Sequence, residues 1–521
     1  MKYITNKSKL LFLLLSVFSI PSLFAQEKGL DQQIDEAFKP FSDAISNIIF
    51  FQILGVPFVL ILLVGSALFF TIYFGFVNIR RFPTAINVVC GKYDELDESH
   101  GGKDSGESEE GEVTHFQALA TAVSGTVGNG NIAGVALAIA LGGPGATFWM
   151  VICGLLGMSS KFVECTLGVQ YRDVGEDGTI YGGPMYYISK GLKERGFTML
   201  GKVAAVFFAI FCIGGSFGGG NAAQSNQATI VLKDLMNLES SAAGFWIGIV
   251  LAILVGIIII GGIKRIAQVT EKVVPFMAVM YVVACLYIIL SNFTLIDDAF
   301  ALIFAEAFNP TAIGVGSFIG VLLVGFKRAA FSNEAGAGSA SIAHSAVKTK
   351  YSASEGLVAL LEPFIDTVVI CTMTALVIVI FNFGGAFQYG GEGAVMIDGI
   401  SYEGAGITSK AFAQYIPFSD VFLTIAVVLF AVSTMISWSY YGLQSWKYLF
   451  GRGKAADLAY KLLFLTFVII GASASMNSIW AFSDAMIFAM VFPNMVGLFF
   501  LFPVVKKELN RYLKAIRTIE S

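Results

Sequence analysis

The sequence predicts an all-α polytopic membrane protein: a five-plus-five inverted repeat with one extra N-terminal helix, about eleven transmembrane helices, N-terminus outside and C-terminus inside. Three observations carry this. The 521 residues are 56% hydrophobic and only 13% charged, with a mean hydropathy of +0.75, far from the composition of a soluble domain. Apolar runs of spanning length fall at 48–76, 115–141, 145–170, 203–231, 242–262, 273–291, 313–343, 356–382, 419–446, 459–475 and 479–503. Two of them, the second and the seventh, are interrupted by glycine and asparagine where a continuous helix is expected.

Taken in order, the chain opens with Lys2, Lys7 and Lys9, an apolar stretch Leu10 to Ile20, and Ser22-Leu23-Phe24-Ala25. That is the pattern of a signal peptide over 1–25, cleaved after Ala25. An external segment over 26–44 and a membrane domain over 45–505 follow, and 506–521 reads as a cytoplasmic tail. With the mature N-terminus outside, the first span runs inward to Arg80 and Arg81. Loops then assigned inside carry Arg172, Lys190, Lys193 and Arg195; Lys264, Arg265 and Lys272; Lys348 and Lys350; and Arg452 and Lys454. Those assigned outside carry Lys233 and Lys410 beside Asp297, Asp298, Glu306 and Glu392. Lysine and arginine thus collect on one side, as the positive-inside rule requires, and a multi-pass protein of the cell inner membrane follows. Lys92 to Glu112 reads as a disordered acidic linker, and Gly384 to Ser419 as a long external loop with the reach of a lid.

Setting the first span aside, ten remain and divide into a first repeat over 115–291 and a second over 313–503. Five is odd, so the two repeats enter the membrane from opposite sides. Each opens on an interrupted run: Gly125-Thr126-Val127-Gly128-Asn129-Gly130-Asn131 in one, Ser332-Asn333-Glu334-Ala335-Gly336-Ala337-Gly338 in the other. Unpaired backbone groups in hydrocarbon cost several kcal/mol, so a broken span survives only where it lines an enclosed cavity. Paired breaks in inverted halves point to a midplane transport site. At the first break the half-helix after Asn131 offers N–H groups and a positive dipole end, while the half before Gly128 offers carbonyls. A carboxylate is therefore expected on Asn129 and Gly130, with Gly128 admitting close approach, and a cation on carbonyls such as those of Ser124 and Val127.

These breaks also carry a resemblance. Gly125 to Asn131 with Ile132-Ala133-Gly134-Val135 and Leu141-Gly142-Gly143-Pro144-Gly145 resembles the signature of the alanine or glycine:cation symporter family. So do Lys327-Arg328 through Phe331-Ser332-Asn333-Glu334-Ala335-Gly336 to His344, Phe364-Ile365-Asp366-Thr367 through Thr372, and Trp438-Ser439-Tyr440-Tyr441-Gly442. The resemblance runs from about residue 45 to the C-terminus. It implies the LeuT-like inverted-repeat fold and sodium-coupled import of alanine, glycine or a similar small neutral amino acid. It also implies one Na⁺ between the carbonyls of Ser124 and Val127 and the hydroxyls of Ser433 and Thr434, with Asn131 and the Thr126 carbonyl as candidates for a second ion or the carboxylate. The chain departs from the family in having Leu443 and Gln444 where an acidic residue commonly follows, and Gly-Asn-Gly-Asn where Gly-Thr-Gly-Asn is commoner.

Further candidates lie outside the breaks. Asn221 and Gln224, three apart in the glycine-rich fourth run, share a helix face and are expected to bind substrate. Trp438 and Phe217 would close a pocket sized for a methyl group. Lys161 and Glu164 in one helix, with Lys327, Arg328 and Glu334 in another, are expected to form a gate or coupling pair, since ionisable groups at membrane depth are costly. Asp366, read as the one acidic group well inside the eighth run, is a third candidate, for a gate or a cation site.

Other function classes lose their footing. A net charge of −4 offers no basic patch for nucleic acid, and five of six cysteines lie within apolar runs, so no disulfide framework is indicated. Gly214-Gly215-Ser216-Phe217-Gly218 spells a nucleophile elbow but lacks the strand-turn-helix setting an intramembrane hydrolase would need. The sequence has no phosphate-loop lysine and no HExxH, so no cofactor is expected, with Na⁺ as the co-transported ion, membrane lipid as surroundings and no obligate protein partner. Within transport, the alternative is a proton-coupled carrier with Asp366 or Glu334 as relay.

Overall fold

The computed structural model describes residues 30–98, 111–176, 178–309, 317–391 and 393–521. The expected signal peptide and the centre of the expected acidic linker lie outside the described residues. Among those described, seven helices are long and apolar enough to cross a membrane, and an eighth crossing is the bent pair His115–Thr126 and Gly130–Gly142, whose halves meet at 50°. Phe58–Tyr73 and Ala243–Ile259 are shorter apolar helices, and Phe318–Asn333 with Ala340–His344 forms a second broken helix. These elements fall one to one on the eleven runs and are numbered by them below.

Local chemistry sets the boundaries that matter. The second span starts on a capping box: the Gln117 N–H donates to Thr114 Oγ1 and the Thr114 N–H donates to Gln117 Oε1, both at 3.2 Å. It stops at Thr126, because Val127 leaves the helical region at φ −73°, ψ 90°. It resumes as one wide π-helical turn, Gly130–Gly134, before Val135–Gly142. The seventh span ends at Asn333, after which Glu334 is left-handed at φ +53° and Gly336 and Gly338 sit at φ +93° and +90°. Glycine adopts such angles without steric cost. Wide turns also interrupt the fourth span at Gly218–Ala222 and the eighth at Phe364–Cys371, a feature that gathers at functional sites.

Two peripheral elements go beyond the sequence reading. Leu30–Ile49, expected only as an external segment, is a helix clasping the start of the last one, Met476–Glu520. Ser42 Oγ donates to the Ser478 carbonyl at 2.8 Å, and Phe38 meets Phe482 edge-on at 5.2 Å. The long loop contains a hairpin pairing Ala394–Ile397 with Ile400–Glu403 around Asp398-Gly399, both at positive φ, as a tight two-residue turn demands. Its helix Ala405–Ala413 then seats on the first break, where Thr408 Oγ1 donates to the Ile132 carbonyl at 3.1 Å.

On the face assigned inside, the ends of the two broken helices are joined. Lys348 N–H donates to the Val113 carbonyl and Glu112 N–H to the Ala346 carbonyl, each at 2.8 Å. Nearby, Asp173 pairs with Lys190 at 2.5 Å and Arg452 at 3.0 Å. Partial burial pushes the Asp173 carboxyl up, but the two cations outweigh it and hold it below the ordinary carboxylate value. A lowered folded pKa gives stability that is present above the unfolded value and lost as pH falls through the folded one. Both ends are about 40% exposed, so the contribution is on the order of 0.5 kcal/mol and salt-sensitive. The melting difference between wild type and D173N is therefore expected to be small at neutral pH and to shrink as pH falls through and below the ordinary aspartate range; a difference that grows on acidification would contradict this.

Candidate functional site

The two breaks meet at Asp366, which has no exposed surface. From the first break, Asn131 Nδ2 donates to Asp366 Oδ1 at 2.6 Å and to the Asp366 carbonyl at 3.0 Å, while Asn131 Oδ1 accepts the Gly128 N–H at 2.9 Å. From the second, Ser332 Oγ donates to Asp366 Oδ2 at 2.9 Å. Thr367 Oγ1 donates to the same oxygen at 2.7 Å and itself accepts from Asn333 Nδ2 at 2.9 Å. Among the described residues no basic side chain pairs with Asp366. A buried carboxylate is costly unless hydrogen-bonded and compensated; the bonds are present, and no described side chain supplies the compensating charge.

Beside the first break the ninth span, Ser419–Phe450, closes in. Ser124 Oγ donates to the Ser433 carbonyl at 2.8 Å. Thr434 Oγ1 is buried without a hydrogen-bond partner among the described residues, and a Cβ added to Gly128 would lie 2.5 Å from it. Only glycine lets the break approach that hydroxyl. A hydroxyl beside helix-end carbonyls is the oxygen-rich setting that hard cations take. Ser433 Oγ instead donates to the Phe430 carbonyl at 3.0 Å, and Thr126 Oγ1 to the Ala122 carbonyl at 3.3 Å.

Gln224 also reaches the break: its Oε1 accepts the Asn129 N–H at 3.0 Å, its carbonyl accepts from Asn129 Nδ2 at 3.3 Å, and its Nε2 donates to the Gly219 carbonyl at 2.9 Å. Asn129 Oδ1 remains without a partner among the described residues. Trp438, fully buried, donates its Nε1–H to Glu334 Oε1 at 3.0 Å and to the Gly125 carbonyl at 3.2 Å. The site thus gathers Ser124, Gly128, Asn129, Gly130, Asn131, Gln224, Glu334, Asp366, Thr434 and Trp438.

Two expected substrate residues stand elsewhere. Phe217 stacks on Phe467 at 4.6 Å and Tyr460 at 5.7 Å, and Asn221 Nδ2 donates to the Phe464 carbonyl at 2.6 Å; both face the tenth span, Lys454–Ser473. The wide turn Gly218–Ala222 holds more residues per turn than an α-helix, so Asn221 and Gln224 lose the shared face that their spacing predicts.

The expected gate is likewise rearranged. Lys161 and Glu164 do not pair with Lys327, Arg328 or Glu334. Lys161 pairs with Glu362 at 3.0 Å, and Glu164 accepts from Asn494 Nδ2 at 2.8 Å. Lys327 and Arg328 converge on Asp484 of the last helix, Lys327 at 2.8 Å. Asp366 is joined in the eighth span by buried Glu355 and Glu362, which corrects its reading as the one acidic group there. Glu355 accepts from both His115 and His344, the latter at 2.5 Å, and Glu362 Oε2 lies 3.7 Å from His344 Nε2. His115, His344, Glu355, Glu362 and Lys161 form one buried chain of charge tying the second, third, seventh and eighth spans together. Ser216, the hydrolase candidate, donates to the Ile213 carbonyl of its own helix at 2.7 Å and accepts from the Tyr460 hydroxyl at 2.9 Å, the second bond stapling the fourth span to the tenth.

Two broken membrane helices meeting at a buried carboxylate, with further buried ion pairs among the spans, define a secondary transporter. A profile of the sodium:alanine symporter family matches residues 39–521. The chain belongs to that family. It is 40% identical over 458 residues to the sodium/alanine symporter AgcS of Methanococcus maripaludis, covering 88% of this chain and 94% of the relative. It is 38% identical to an uncharacterized transporter of Haemophilus influenzae, covering 89% and 94%, and 33% identical to the amino-acid carrier protein AlsT of Bacillus subtilis, covering 87% and 89%. The protein is thus a multi-pass membrane transporter and not an enzyme.

Proposed function

We propose that the protein is a sodium-coupled symporter importing alanine, glycine or a similar small neutral amino acid across the cell inner membrane by alternating access. The repeats are those over 115–291 and 313–503, with the N-terminus outside and the 506–521 tail inside. The observation that carries this reading is Asp366, held by Asn131 of one break and Ser332 of the other. Both repeats thereby share a single anionic centre, whose charge a bound cation would compensate. The orphaned Thr434 hydroxyl beside Gly128 supports a second cation position. The substrate carboxylate would then sit at Asn129 and Gly130, taking the Asn129 N–H in place of Gln224 Oε1, its side chain toward Trp438. Sodium and amino acid binding one conformation together shift the inward–outward equilibrium together.

The test is uptake of labelled alanine into proteoliposomes. An inward Na⁺ gradient is expected to drive accumulation, and its removal to abolish it; equal uptake with and without sodium would refute the coupling. T434V removes one oxygen from a charged ligand, worth about 1.5–3 kcal/mol. It is expected to raise the Na⁺ concentration for half-maximal uptake about tenfold or more. A proton-coupled reading draws on the same buried Asp366 and on Glu334. An imposed pH gradient without sodium separates it, since only a proton carrier accumulates alanine there.

A further inference from the structure

The sequence marks Trp438 as a wall of the side-chain pocket; the structure adds what holds the wall in place. Its indole N–H is shared between the Gly125 carbonyl at 3.2 Å and Glu334 Oε1 at 3.0 Å. Gly125 belongs to the half-helix that ends at the first break, and Glu334 is the first residue of the second break. The Glu334 carboxylate is itself pinned, because Ser339 Oγ donates to its other oxygen and its backbone is left-handed, at φ +53°. On its faces the indole is boxed by glycines. A Cβ on Gly220 would collide with Trp438 Cγ, and one on Gly215 would fall 3.3 Å from Cζ3, while Tyr441 meets the ring edge-on at 5.4 Å. Backbone closes one side of the ring, so its position is set by what the N–H is anchored to.

We propose that Glu334 is the positioning residue for substrate size: by fixing the Trp438 indole against the Gly125 carbonyl, it sets the depth of the side-chain pocket. The Glu334 oxygen is the nearer of the two acceptors and its carboxyl is held from behind by Ser339, so it, more than the carbonyl, decides where the ring rests. The same link makes the pocket depend on both repeats at once, since a shift of the second break carries Glu334, and with it the wall facing the first break.

This rests on the transport reading above, and the experiment separates the two. Proteoliposomes of wild type, E334A, E334Q, W438F, S339A and the double variant E334A/W438F are compared for uptake of glycine, alanine, 2-aminobutyrate and valine. If wild type transports none of them, the transport reading fails. With wild-type transport in hand, the readout is the valine-to-alanine ratio of kcat/KM. E334A and W438F are each expected to raise that ratio about tenfold, and the double variant to exceed neither, because both single changes cut the same bond. E334Q, whose side-chain oxygen still accepts the indole N–H, is expected to restore the wild-type ratio, and S339A to fall between. Should E334A not reach the membrane, W438F and S339A carry the comparison. An unchanged ratio in E334A, or single effects that multiply in the double variant, would overturn the assignment.

Discussion

D366N is expected to weaken Na⁺ activation of uptake at least about 100-fold while leaving the protein folded. Asparagine keeps the volume, and its carbonyl oxygen still accepts from Asn131 Nδ2. Its NH₂ faces Ser332 and Thr367, hydroxyls that can turn to accept. What disappears is the charge. A unit charge about 4 Å from a cation is worth about 4 kcal/mol at an effective dielectric near 20, close to a thousandfold in affinity, and 100-fold is the conservative expectation. Sodium titration of alanine uptake, with detergent melting as the control for folding, decides it. A D366N protein that melts like wild type and retains its sodium dependence would remove Asp366 from the ion site.

K161M is expected to be the most damaging single change to stability. It leaves Glu362 in the interior with only the His344 ring, 3.7 Å away, for a cationic neighbour, and orphaning one member of a buried ion pair costs about 3–5 kcal/mol. K161M/E362M exchanges the pair for apolar side chains of similar bulk, a substitution that is often neutral. The apparent melting temperature should therefore drop sharply in K161M and recover in the double variant. Equal damage in both would mean that Lys161 matters through Glu164 and not through Glu362.

The contrast between these residues shows what the sequence conveys. Spans are legible because hydropathy is a local property. The breaks are legible because glycine and asparagine weaken a helix, and a membrane chain keeps a weak helix only around a cavity. Asn131, Gln224 and Asp366 are therefore within reach of the sequence. Partner choice is not. Lys161 and Glu164 sit on one helix face, yet one meets Glu362 and the other Asn494, because their neighbours are fixed by packing among spans far apart in sequence. His115 and His344 are separated by more than two hundred residues, and only their shared partner Glu355 joins them. Phe217 and Asn221 leave the expected site for a local reason, a wide turn that changes the phase of the helix; the glycine run at 218–220 is its sequence signal. Asp484 stands in an apolar run as an isolated acid, and the adjacent pair Lys327-Arg328 in another run is the hint that it has a partner.

The last helix, Met476–Glu520, has a mechanical consequence. Its 45 residues make a helix about 68 Å long, with polar contacts spread along its length. Near one end Asp484 grips Lys327 and Arg328; at mid-length Asn494 Nδ2 donates to the Gly336 carbonyl of the second break at 2.9 Å; at the far end Glu520 takes Lys92 at 3.1 Å and Tyr93 at 2.9 Å. Pro493 lies beside the middle grip, where a missing N–H softens the helix. One helix thus ties the seventh span, the second break and the segment after the first span into a single continuous element.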